Sequence, residues 1–201
     1  MSVLLVQCSP RPNSASREAA GLLAARLAMG GKLVRRDLVA DPPPLVDAGF
    51  VDAMRRRAGA DDPAFAASEV LIAELEAASS VVIGLPMHNY TVPAVLKAWV
   101  DQVVRIGRSF DPTPVGKVGR LADRPGFMVV ATGGVISGDG PTRQPDFVTP
   151  YLISVLGTIW IRNVCFLYLE ALRDAAARES AMVAARKWIS AQIPLVPEAV
   201  S

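Results

Sequence analysis

The stretch Val3-Leu4-Leu5-Val6-Gln7, entering Ser9-Pro10-Arg11-Pro12-Asn13-Ser14-Ala15-Ser16-Arg17, decides how the whole chain is read. A short apolar run that stops at a proline- and serine-rich loop reads as a strand buried on both faces. Ser16 to Met29 then reads as a helix, with Leu22, Leu23 and Leu27 at helical spacing. Gly30-Gly31 ends it, because glycine turns left-handed at little steric cost.

The same alternation runs outward from there. Lys32 to Asp37 reads as a second strand and Phe65 to Ala77 as a helix carrying Val70, Leu71 and Leu75. Val81-Val82-Ile83-Gly84-Leu85 is a third strand, stopped by Pro86, and Ala94 to Arg105 is a helix. Gly126 to Ala131 is a fourth strand, Phe147 to Leu156 a short helix, Asn163 to Tyr168 a fifth strand and Leu172 to Ala191 a long Ala-rich helix. Between Ala40 and Pro63 the chain is irregular, with a short helix near Val51 to Arg57. Strands alternating with helices imply a doubly wound α/β fold with helices on both faces of a parallel sheet. Five strands favour the flavodoxin-like order 2-1-3-4-5 over a six-stranded Rossmann sheet.

The chain of 201 residues is read as a single domain, 1–201, somewhat larger than the common size. Its 51% hydrophobic residues supply a core, and a net charge of +2 speaks against a nucleic-acid partner. Arg55-Arg56-Arg57 reads as a solvated helix face. Two cysteines, Cys8 and Cys165, are too few for a disulfide scaffold or a zinc site and read as buried strand residues. The N-terminal apolar run lacks a basic start and is cut by Pro10, so it does not read as a signal peptide. No apolar run approaches the roughly 20 residues of a membrane span. The expected location is the cytoplasm, with no membrane association.

In open α/β sheets ligands sit beyond the carboxyl ends of the strands near the switch point, so the loops after strands one, three and four are the candidate site. Hydroxyls and free N–H groups at a helix start, here Ser9 and Ser14 to Ser16, suit a phosphate; the plainer alternative is that Ser14 or Ser16 is only an N-cap. Pro86-Met87-His88-Asn89-Tyr90 suits a flat ring with hydrogen-bonding edges, or is a surface turn. Thr132-Gly133-Gly134-Val135 lets backbone N–H groups approach a ligand, or is a tight turn. There is neither a Gly-x-x-x-x-Gly-Lys-Ser/Thr nor a Gly-x-Gly-x-x-Gly motif.

Ser9, Ser14-Ala15-Ser16, Asp37-Leu38, Pro86-Met87-His88-Asn89-Tyr90, Thr132-Gly133-Gly134, Asp139-Gly140-Pro141-Thr142 and Thr149-Pro150-Tyr151-Leu152 together resemble the FMN-dependent NADH-azoreductase family of flavodoxin-like NAD(P)H:quinone oxidoreductases. The match is ordered and covers nearly the whole chain. The resemblance implies that Ser9, Ser14, Ala15 and Ser16 bind the ribityl chain and phosphate of FMN. It implies that Met87, His88, Asn89 and Tyr90 line the isoalloxazine near N5, and that Thr132, Gly133, Gly134 and Val135 bind its pyrimidine edge. It further implies a homodimer in which the partner copy completes each site.

Two departures bear on the acceptor. The family usually has Tyr, Asn and Phe after the methionine, where this chain has His88, Asn89 and Tyr90. The family's Ser-Arg-Gly-Gly run is Thr132-Gly133-Gly134-Val135 here, without arginine, which is more similar to the quinone reductases. The expected activity is hydride transfer from NADH or NADPH through flavin N5 to a quinone or aromatic azo compound, with ping-pong kinetics. Backbone N–H groups of Gly133 and Gly134 would stabilise charge at the pyrimidine edge, and His88 would donate a proton or hydrogen bond to the acceptor.

The alternatives are an electron-transfer flavodoxin and a general NAD(P)H:FMN reductase. The extra length of Ala40 to Pro63 and Phe110 to Arg124, and the absence of acidic excess, argue against the flavodoxin. A hydrolase is disfavoured. Six residues after Cys8 stands Ser14, not the arginine a thiolate phosphatase needs, and no Gly-x-Ser-x-Gly elbow is present.

Overall fold

The computed structural model describes residues 1–193, so residues 194–201 of the expected domain lie outside the described residues. Five parallel strands form the central sheet: β1 (Ser2–Gln7), β2 (Lys32–Asp37), β3 (Ser80–Pro86), β6 (Gly126–Ala131) and β7 (Val164–Leu169). Their order is β2-β1-β3-β6-β7. The expected parallel five-stranded sheet is present, but the expected numbering 2-1-3-4-5 shifts because a two-stranded antiparallel hairpin, β4 (Phe110–Thr113) with β5 (Gly116–Gly119), intervenes. That hairpin was not expected. Its strands carry Pro112, Gly116 and Gly119 and show no apolar alternation, so neither strand signal is present.

The helices are α1 (Ala15–Leu27), α2 (Ala48–Arg55), α3 (Ala66–Ala77), α4 (Ala94–Val103), α5 (Val148–Thr158) and α6 (Ala175–Gln192). Successive strand residues point to opposite faces. Leu4, Val6, Ile83, Met128 and Val130 pack with Leu71, Leu75, Leu96, Trp99 and Leu152 of α3, α4 and α5. Val3, Leu5, Val82 and Val129 pack with Ala19, Ala20, Leu23, Met182 and Ile189 of α1 and α6. Both faces of the sheet are thereby covered, which explains the unbroken apolar runs.

Two details of the expected helix faces are corrected. Leu22 and Val70 are exposed at 40% and 53%. On α1 the buried stripe consists mainly of alanines, which let the helix lie close to the sheet. Gly84 shows how close: a Cβ there would stand 2.7 Å from Ala20 Cβ and 2.9 Å from the Ser16 carbonyl oxygen. Gly30 adopts φ +74°, as the end of α1 requires. The irregular segment folds back through α2, where Phe50 meets Phe65 edge-on at 5.2 Å. Arg55, Arg56 and Arg57 are exposed, as expected of a solvated face. Cys8 is fully buried just beyond β1, and Cys165 on β7 is half-buried. Among the described residues no helix is long and apolar enough to cross a membrane.

Candidate functional site

The registers Gln7↔Gly84 and Pro86↔Ala131 align the carboxyl ends of β1, β3 and β6. The ladder runs on into the loops: Cys8 N–H donates to Gly84 at 2.9 Å, Met87 N–H to Ala131 at 2.8 Å and Thr132 N–H to Leu169 at 2.9 Å. All three candidate loops therefore leave from one edge of the sheet.

In the first loop Ser14 is the N-cap of α1, its Oγ accepting the Arg17 N–H at 3.2 Å. Ser16 Oγ lies 3.3 Å from Ser14 Oγ, and Ala15 sits between them at the first helical position. Ser9 Oγ accepts the Arg11 N–H at 3.3 Å. Ser9, Ser14, Ala15 and Ser16 are all buried. The cap reading holds for Ser14. A cleft of about 240 Å³ lined by Arg11, Asn13, Ser14, Ala15 and Arg178 borders this end of α1.

In the second loop Met87 is half-buried against the core. His88 and Thr91 exchange backbone hydrogen bonds at 2.9 and 3.0 Å, closing a tight turn. Its two central residues, Asn89 and Tyr90, have φ +47° and +69°. That is the geometry of a primed hairpin turn, ordinarily filled by Asn-Gly. Tyr90 is 47% exposed, and His88 and Asn89 are exposed.

In the third loop Thr132 is buried and its Oγ1 accepts the Gly134 N–H at 3.3 Å. The Gly134 carbonyl accepts from Ala171 at 2.9 Å and the Val135 carbonyl from Gln144 at 2.7 Å. Gly133 is exposed, and a Cβ added there would meet nothing within 4 Å, so open space lies against that backbone.

Residues 1–193 match the family model described as a flavodoxin-like fold. FMN-dependent NADH:quinone oxidoreductase 2 of Cupriavidus pinatubonensis is 47% identical over 176 residues, 84% of this chain and 85% of that one. FMN-dependent NADH:quinone oxidoreductase 5 of Burkholderia lata is 50% identical over 147 residues, 72% of either chain. The chain belongs to the flavodoxin-like FMN-dependent NADH:quinone oxidoreductase family. The azoreductase of Bacillus anthracis str. Sterne shares the fold, with a TM-score of 0.82 and 24% identity over 96% of this chain and 98% of that one.

Two features of this oxidoreductase-family site were not read from the sequence. Glu170, just beyond β7, accepts the N–H groups of Ile136 and Ser137 at 2.7 Å each and the Ser137 hydroxyl at 2.5 Å. Burial pushes its pKa up, but these hydrogen bonds outweigh it and hold the carboxyl below its ordinary value. An acid at the carboxyl end of a buried strand is the signal that could have marked it. Asp37, quoted above only as part of a motif, ends β2 in a two-pronged pair with Arg17 at 2.7 and 2.9 Å. The Arg17 side chain, against some burial, holds the Asp37 carboxyl below its ordinary range. A cleft of about 560 Å³ lined by Met54, Phe65, Arg105 and Ile106 shares no residue with the three loops.

Proposed function

We propose that this chain binds FMN along the carboxyl edge of β1, β3 and β6 and is an NADH:quinone oxidoreductase that also accepts aromatic azo compounds. The observation that carries the reading is the convergence of three loops of distinct chemistry on one edge: a hydroxylated helix start, a turn bearing an exposed aromatic, and a glycine, Gly133, with open space beside its backbone. The donor set suits the group. Ser9, Ser14 and Ser16 with the start of α1 match a phosphate dianion. The Met87 to Tyr90 turn offers a flat wall for an isoalloxazine, and within Thr132 to Val135 the Gly133 N–H is offered to a carbonyl-rich ring edge, those of Thr132 and Gly134 being engaged by Leu169 and the Thr132 hydroxyl. Bound FMN supplies the two-electron relay between nicotinamide and acceptor. The protein would hold and orient it: Ser14 and Ser16 would anchor the phosphate, Tyr90 would flank the ring, the Gly133 N–H would stabilise negative charge at the ring edge, and His88 would donate a hydrogen bond or proton to the acceptor.

In this reading the 1–201 chain is one cytoplasmic domain and works as a homodimer, with the partner copy completing each site. The exposed apolar residues Tyr90, Phe147 and Ile153, at 47%, 59% and 52%, support an interface beside the flavin. The acceptor choice leans to quinones because the third loop lacks the arginine common in azoreductases.

The test is the visible spectrum of the purified protein, mass spectrometry of the released ligand, and NADH oxidation with a quinone or an azo dye. A colourless protein that takes up no added FMN would overturn the reading. FMN binding without NADH oxidation would point instead to an electron-transfer flavodoxin. A His88→Ala variant with unchanged turnover across pH would remove His88 from proton donation.

A further inference from the structure

Arg17 links Ser9 and Ser14 of the first loop to Gln7 at the end of β1 and Asp37 at the end of β2. Its N–H donates to Ser14 Oγ at 3.2 Å and its carbonyl accepts Gln7 Nε2 at 3.2 Å. Its Nε donates to the Ser9 carbonyl at 2.8 Å, and its two Nη atoms donate to the Asp37 carboxylate at 2.7 and 2.9 Å. Asp37 Oδ1 also accepts the N–H groups of Val39 and Ala40 at 3.0 and 3.3 Å, which fixes the carboxylate on the end of β2. One guanidinium thus joins the loop after β1, the first turn of α1 and the end of β2.

Three of the five N–H groups of this fork are engaged, one from each nitrogen. Nε is on a carbonyl, both terminal nitrogens are on a carboxylate, and the charge is balanced by Asp37. The guanidinium is therefore a fixed strut and not a free counter-charge for an anion. We propose that Arg17 and Asp37 are a positioning pair that sets Ser9, Ser14 and Ser16 for the FMN phosphate without either residue binding that phosphate. The proposal rests on the FMN reading above.

Lysine at position 17 would keep the charge but cannot supply the planar fork that spans carbonyl and carboxylate. The test is fluorescence titration of the apoprotein with FMN and with riboflavin, which lacks the phosphate, alongside the melting temperature of each apoprotein. Arg17→Lys is expected to weaken FMN at least tenfold more than riboflavin. Asp37→Asn separates position from charge: a released guanidinium acting as a charge would tighten FMN, whereas a broken strut weakens it. A difference of less than tenfold between the two flavins in Arg17→Lys, or unchanged or tighter FMN binding in Asp37→Asn, overturns the proposal. Should Arg17→Lys not fold, Asp37→Asn, nearly unchanged in volume, decides by the sign of its effect on FMN. Wild-type protein that takes up neither flavin would fail the FMN reading itself, an outcome distinct from a variant-specific loss.

Discussion

The carbonyl of Tyr90 accepts the backbone N–H of Phe147 at 3.1 Å, pinning the turn after β3 to the start of α5. Tyr90 has φ +69°, a conformation costing an ordinary L-residue roughly 1–2 kcal/mol. Such strain persists only where the surroundings enforce it, and it gathers at binding sites.

Replacement of Tyr90 therefore separates backbone from ring. Tyr90→Gly removes the steric cost but adds freedom to the unfolded chain, so stability is expected to change by less than about 1 kcal/mol. Tyr90→Val puts a β-branched residue at positive φ and is expected to lose about 1–2 kcal/mol relative to Tyr90→Gly. Both variants lose the aromatic wall, so the KM for a quinone rises several-fold in each. Urea denaturation and steady-state kinetics read the two effects separately; equal stability of the two variants would show that the backbone at 90 is not strained.

Gly84 carries a second prediction. A methyl group there collides with Ala20 Cβ and the Ser16 carbonyl, so Gly84→Ala must lift the first turns of α1 from β3. Overpacking of this kind costs about 1–3 kcal/mol. Because Ser16 moves with the helix, flavin affinity is expected to fall as well. A denaturant melt together with an FMN titration checks both. A variant of wild-type stability and affinity would mean that the contact is softer than its geometry.

The sheet was legible because strands buried on both faces must be apolar throughout, so Val3–Val6 and Val81–Leu85 announce themselves. The helix faces were less so. Leu22 fits a helical spacing yet points outward, because mainly alanines face the sheet on α1, and Val70 points outward because Leu71, Ile72 and Leu75 take the buried face of α3. The hairpin at Phe110–Gly119 gives no periodic signal. At the site, the three loops could be placed from strand ends alone, but Glu170 and the Arg17–Asp37 pair could not. Their partners lie 33–34 and 20 residues away in sequence, and only the register of β1, β2, β6 and β7 brings them together.

Cys8 offers a chemical check on its burial. Burial drives its thiol pKa far upward, Arg17 opposing and Asp37 adding to the shift. The reactive species is the thiolate. An aromatic disulfide reagent at mildly alkaline pH is expected to leave Cys8 unmodified in the native protein, with Cys165 reacting first. Both thiols should react in denaturant. Rapid native labelling at Cys8, located by peptide mass mapping, would contradict the buried position.

Glu170 predicts how the third loop responds to acid. Its carboxyl is held below the ordinary value of 4.5, so the folded chain binds this proton more weakly than the unfolded chain. The stabilisation is fully present above pH 4.5 and is lost as pH falls through the depressed folded value. Glu170→Gln removes the charge-assisted character of three hydrogen bonds and is expected to cost about 1 kcal/mol near pH 7, at the low end because the group is partly solvated. As pH drops below 4.5 the wild type loses the same contribution, and the two stability curves converge. Urea midpoints for both proteins between pH 7 and the acid limb test this. An offset that stays constant into acid would mean that the Glu170 carboxylate is not what holds Ile136 and Ser137 in place.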